Sequence, residues 1–190
     1  MRKYTLLLAL LFGTSVMMAQ EDSEEATYGK HLVTISPMSL YGSDYIGDIG
    51  LGLAYENYFN DKVSLSVPLA AGLVDEMLQA GLGLKFYPSG HESGVTYSIS
   101  PMFLLTYAKD DDYYYYDHFS IYIDPERTVL QFGFMLINGL NVMIDEEVYL
   151  GLEGGFGVNY VNRVDPDYGS SFNADPTVSG MLRLNFGYRF

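Results

Sequence analysis

The 190-residue chain contains no cysteine and no tryptophan. The missing cysteine excludes a disulfide scaffold and a lipid anchor on a cysteine, and it suits an exported chain that must avoid wrong oxidation. Basic residues are scarce. Ten Lys and Arg stand against 24 Asp and Glu, giving a formal charge of −14. A surface of that sign repels phosphate backbones, which sets nucleic-acid binding aside. Nothing beyond the first residues reads as a long amphipathic helix. What the chain does have is 48% hydrophobic residues, too many for a disordered acidic chain, together with 18 Tyr and 20 Gly. That mixture points to many strands packed closely.

The N-terminus reads as a processing segment. Arg2 and Lys3 precede an apolar stretch from Leu6 to Phe12 and a run ending in the small residue Ala19. This is the pattern of a secretory signal over residues 1–19, cut before Gln20, and its apolar run is too short to span a bilayer. Its loss removes two cations and takes the charge from −14 to −16. Residues 20–27 form a short acidic lead, expected to be disordered. The folded unit is expected over residues 28–190.

From Tyr28 onward, apolar residues recur at every second position, the spacing that places them on one face of a strand. Eight such stretches are expected: about Gly29–Tyr41, Ile46–Phe59, Val63–Leu73, Leu78–Tyr87, Val95–Tyr107, Leu130–Ile144, Val148–Tyr160 and Val178–Phe190. In the first, Val33, Ile35 and Tyr41 share the apolar face. The sixth contains Asn138-Gly139, a strong hairpin signal by itself. We nevertheless place the next turn at Asp145-Glu146-Glu147, because three successive carboxylates are costly in the middle of a membrane strand and Asn138-Gly139 can be absorbed as a bulge. Two long connections are expected, Ala108 to about Arg127 and Val161–Pro176.

Eight alternating strands fit a soluble barrel with an apolar interior or a membrane barrel with an apolar exterior. The non-apolar face decides. It carries mostly Gly, Ser, Ala and Thr with few charges, which suits a narrow lumen better than a water-facing surface. Tyr97 and Tyr107 share one face of the fifth strand. Ten tilted residues cover roughly 25 Å along the membrane normal, the height of the apolar band in such barrels. Tyr41, Phe59, Phe86, Tyr160, Tyr188 and Phe190 are expected at other strand ends of that face. The fold class is therefore an all-β, eight-stranded antiparallel up-and-down transmembrane β-barrel. Short turns alternate with long loops, which places both termini on the periplasmic side and the long loops outside.

The Tyr55-Glu56 strand end, the Leu84-Lys85-Phe86-Tyr87-Pro88 strand–turn, the Gly-rich seventh strand and the final Phe190 give the chain a resemblance. From Tyr28 to Phe190 it resembles the small eight-stranded outer-membrane barrels, the class of the OmpA transmembrane domain and OmpX. Within that class it is similar to outer-membrane β-barrel proteins of unassigned function. The resemblance implies an outer-membrane location and a final aromatic strand, here Phe186, Tyr188 and Phe190, read by the outer-membrane assembly machinery. It implies surroundings of outer-membrane lipid and lipopolysaccharide, and a monomer is expected.

The charged residues expected in the lumen are Glu56, Lys85, Glu153, Arg183 and Arg189. In low dielectric such groups must pair, and Glu153–Arg183 and Glu56–Lys85 are the expected pairs. They form either a structural plug or an ion-pair gate over a narrow ion path. A membrane enzyme of the lipid-modifying kind needs His, Ser and a carboxylate near the outer rim. His31, His91 and His118 fit that poorly, so no catalysis and no cofactor are expected. Asp110, Asp111, Asp112, Asp117, Asp124 and Glu126 in one loop, with Asp165, Asp167 and Asp175 in another, could associate weakly with divalent cations. The reading is an outer-membrane barrel with a structural or surface-interaction role. A narrow channel, a lipid-modifying enzyme and a soluble lipocalin-like binder are the alternatives.

Overall fold

A computed structural model describes residues 29–44, 46–74, 76–92, 94–110, 114–117, 120–123, 127–144, 147–165, 171–173 and 176–190. The expected signal and acidic lead lie outside these residues, as do His118 and the carboxylates at 111, 112, 124, 126, 167 and 175. Eleven strands are described: β1 (His31–Ser43), β2 (Gly47–Asn60), β3 (Val63–Gly72), β4 (Leu78–Phe86), β5 (Val95–Asp110), β6 (Tyr114–Asp117), β7 (Ser120–Ile123), β8 (Arg127–Ile144), β9 (Val148–Asp165), β10 (Ser171–Asn173) and β11 (Thr177–Arg189).

Each of β1, β2, β3, β4, β5, β8, β9 and β11 pairs antiparallel with its neighbour in that order, and β11 returns to pair with β1. The sheet is thus a closed eight-stranded barrel, which removes both sheet edges. The two long connections carry the remaining strands. β6 pairs with β7 in a small separate sheet, and β10 extends the end of β9. β5 and β8 run further than the sequence pattern shows, pairing as far as Asp110 and Arg127. The turns β2–β3, β4–β5 and β8–β9 lie at one end of the barrel, here the short-turn end. The connections β1–β2, β3–β4, β5–β8 and β9–β11 lie at the other.

Alternation sorts the side chains. Ile49, Leu51 and Leu53 of β2, Phe103 and Leu105 of β5, and Leu182 and Phe186 of β11 all face outward and are exposed. The rim aromatics Phe59, Phe86, Tyr97, Tyr107, Tyr160, Tyr188 and Phe190 are exposed as well. Tyr41 is not. It is 4% exposed while Ile35, on the same parity, is 58% exposed. The β1 ladder shifts register between Ile35 and Met38, around Pro37, so every residue beyond the shift exchanges faces. Tyr41 therefore points into the lumen instead of joining the outer aromatics.

Asn138-Gly139 neither turns nor bulges. Both ladders of β8 run through it without a shift, and the irregularity falls between Phe132 and Gly133. Ile144 pairs with Val148, which puts the hairpin where the three carboxylates stand.

The interior is less uniformly small than the pattern implied. Near the long-loop end an apolar cluster of Tyr41, Ile46, Met77, Met102, Leu104, Val129, Met135, Ile137 and Met181 shares the lumen with the buried amides Gln79, Gln131 and Asn159, of which the last two hydrogen-bond to Tyr41 and the first to Thr106. Unbranched Met side chains fill the irregular space that glycines such as Gly81, Gly83, Gly155 and Gly157 leave open. Nearer the short-turn end the interior carries the linked charges Glu56, Lys85, Glu153 and Arg183, beside a second cluster of Leu32, Tyr58, Tyr87 and Tyr149.

Candidate functional site

The polar storey is built on β2, β4, β9 and β11, each contributing one inward charge. Arg183 stands directly opposite Glu153 in the β11–β9 register. Their side chains meet at 2.9 Å, Arg183 Nη2 to Glu153 Oε2. Glu56 and Lys85 sit on strands separated by β3. The inward residues of β3 there are Ser64 and Ser66, short enough to let the two meet above them. Lys85 Nζ is 3.3 Å from Glu56 Oε2.

Lys85 also crosses the lumen. Its Nζ lies 3.0 Å from Glu153 Oε1 and 3.2 Å from the Tyr149 hydroxyl. An ammonium has three protons, and here three acceptors receive them. The two expected pairs are therefore one chain, Glu56–Lys85–Glu153–Arg183, with two carboxylates and two cations and no net charge. That balance is what makes the charges tolerable in a low-dielectric interior.

Hydroxyls and amides complete the network. Ser64 and Tyr87 both donate to Glu56 Oε1, each at 2.5 Å. The Tyr149 hydroxyl accepts from Lys85 and donates to Asn141 Oδ1, and Asn141 Nδ2 donates to Ser98 Oγ at 3.0 Å. Ser36 donates to Asn185 Oδ1 at 2.5 Å. Among the described buried side chains, only Arg183 Nε and Ser100 Oγ have no partner.

Two glycines give the network its room. A Cβ on Gly139 would come within 2.5 Å of Ser98 Oγ and 3.4 Å of Glu153 Cγ, so Gly139 is the floor beneath Glu153. A Cβ on Gly151 would strike the Tyr149 ring, which lies across that glycine. The space left inside the network is a cavity of about 10 Å³, lined by Glu56, Lys85, Tyr149, Glu153, Arg183 and Asn185 among others. That is room for about one water molecule.

Arg189 stands apart from this chain, at the short-turn mouth. Its Nε donates to the Gly29 carbonyl at 2.5 Å, and its guanidinium lies 4.3 Å from the centre of the Tyr58 ring. Phe186, Tyr188 and Phe190 share the outward face of β11. Phe190 is tied to the chain start by reciprocal backbone hydrogen bonds with His31, at 2.9 and 2.8 Å.

Sequence pattern placed Tyr87 on the lumen side without giving it a part, and it passed over Tyr58, Tyr149 and Asn141. A signal for the tyrosines existed. Tyr58 is two residues from Glu56, Tyr87 two from Lys85 and Tyr149 four from Glu153, all on the inward parity. His31 and His91 are both engaged, but far from any triad geometry. His31 Nδ1 is 2.7 Å from the Tyr55 hydroxyl on the outer rim, and His91 is buried under the short-turn mouth.

Solved structures with this architecture exist. The chain is similar to the outer membrane protein OprG from Pseudomonas aeruginosa, with a TM-score of 0.57 and 14% identity, over 89% of this chain and 99% of that one. It is also similar to Neisserial surface protein A (NspA), with a TM-score of 0.50 and 14% identity, over 84% of this chain and 96% of that one. No protein-family model and no curated protein sequence matches the chain. At such identities the likeness is one of fold.

Proposed function

We propose that this chain spans the outer membrane as a sealed, non-catalytic barrel, with a structural or surface-interaction role carried by its wall and its long-loop end. The observation that carries the reading is the lumen. A charge-neutral chain of four side chains crosses it, leaves a cavity of about 10 Å³, and is backed by a methionine-rich apolar cluster. The exposed apolar band supports a bilayer as the surrounding solvent, because alternating strands with outward Leu, Ile and Phe are stable only where water is absent. The similarity to OprG and NspA supports an outer-membrane rather than another lipid environment. Both termini of the barrel then lie on the periplasmic side with the short turns, and outer-membrane lipid and lipopolysaccharide surround the wall. Phe186, Tyr188 and Phe190 are the segment we assign to recognition by the assembly machinery.

Single-channel recording in planar bilayers tests the seal. A sealed barrel inserts without a defined conductance step. A reproducible step would overturn the reading in favour of an ion path gated by Lys85 and its carboxylates.

A further inference from the structure

The turn between β4 and β5 does not hang below the barrel. It folds under the mouth and buries Gly90 and His91 there. The backbone makes this possible. Gly90 adopts φ +80°, a left-handed conformation natural to glycine, and its N–H donates to the Tyr87 carbonyl at 3.0 Å. The next N–H, from His91, donates to the Asp61 carbonyl in the β2–β3 turn at 2.8 Å. One turn is thereby fastened to another across the mouth.

The His91 ring then fills the opening. It lies 4.2 Å from the Tyr58 ring and meets the Tyr87 ring edge-on at 5.8 Å. Its Nδ1 is 3.0 Å from Arg189 Nη1. A guanidinium has only donors, so Nδ1 must be the acceptor and the ring must be neutral, with its proton on Nε2. Protonation would set an N–H against an N–H and a second cation beside Arg189.

We propose that the β4–β5 turn is a proton-sensitive latch, holding the short-turn mouth shut while His91 is neutral and releasing it when the imidazole takes up a proton. Other titratable groups surround the ring: Tyr58 and Glu56 come from β2, Tyr87 from just past the end of β4, Arg189 from β11 and Glu92 from the turn itself, while the Asp61 carboxylate of the β2–β3 turn stands beside Gly90. Burial, with Arg189 adding to it, holds the imidazole below its ordinary value, and the nearby carboxylates Glu92 and Glu56 only partly oppose this. Below about 6.5 the released turn binds a proton that the closed turn does not. Closure is therefore at full strength above that pH and weakens as pH falls through it. The inference concerns the mouth alone and stands whether or not the middle of the lumen conducts.

Amide hydrogen exchange of the full barrel in detergent micelles reads the latch, followed at the Gly90 and His91 amides and referenced to strand amides of β4 and β5. Protection factors corrected for intrinsic exchange are compared at about pH 7.5 and about pH 5. The latch predicts that protection at these two amides falls at the lower pH, by up to about thirtyfold for a single imidazole with a free value near 6.5, while the strand amides hold. His91→Phe keeps an aromatic ring against Tyr58 but has no imidazole to protonate, so its turn protection should be the same at both pH values. His91→Gln serves the same purpose if the phenylalanine variant folds poorly. Wild-type protection that does not change with pH, or an equal fall in a folded His91 variant, overturns the latch.

Discussion

On the outward face of the barrel, the Tyr97 hydroxyl donates a hydrogen bond to Asn138 Oδ1 across β5 and β8. The two are diagonal neighbours, since Asn138 stands opposite Ile99 and Tyr97 opposite Leu140. An amide on an apolar wall has no water to satisfy it, and the tyrosine supplies the missing partner from two positions away. Tyr97→Phe should lower stability by about 1–2 kcal/mol, read as the urea midpoint in lipid vesicles. Adding Asn138→Leu to that variant should recover most of the loss. A double variant no more stable than Tyr97→Phe would mean that the pair is incidental.

Lys85 and Arg183 are both lumenal cations, yet their removal should not be equal. Lys85 faces two carboxylates and a tyrosine hydroxyl, whereas Arg183 shares Glu153 with Lys85. Lys85→Met leaves two buried carboxylates short of a partner and should cost about 3–5 kcal/mol. Arg183→Ala should cost clearly less, because Lys85 still holds Glu153. Combining Lys85→Met with Glu56→Gln restores neutrality on one side and should regain part of the loss. Equal unfolding midpoints for the two single variants would refute the branched network.

Phe190 closes the outward face of β11 and is bonded through its backbone to His31. Its deletion removes an aromatic from the segment assigned to assembly while leaving the lumenal network whole. The expected outcome is a reduced amount in the outer-membrane fraction, with the little that inserts still migrating as a compact band before heating. Normal outer-membrane levels of this truncation would count against that assignment.

The eight barrel strands were legible because period-two alternation survives over most of each, with exposed aliphatics on one parity. Two places were not legible, for physical reasons. Tyr41 follows a register shift at Pro37, and a shift carries no signature in apolar spacing beyond the proline itself. Asn138-Gly139 has the composition of a hairpin, but each residue answers to a different neighbour. Asn138 meets Tyr97 outside and Gly139 makes room for Glu153 inside. The ionic partners Glu153 and Arg183 could be read from strand adjacency. Lys85 reaching Glu153 could not, because it depends on the width of the lumen and on small residues between the strands.

The pairing of β1 with β11 has a kinetic consequence. Ser36 and Asn185 bond across this seam although 149 residues separate them in sequence. Every other barrel ladder joins strands that follow one another along the chain, apart from the short pieces carried in the loops, so those hairpins can form locally at little entropic cost. The seam must wait until the remaining ladders have brought its two strands together, which makes it the slow step set by topology. Until it zips, β1 and β11 are the two unpaired edges of a curved sheet, open to a neighbouring chain as much as to each other. The closed barrel has no edges, but the same sheet before closure has two.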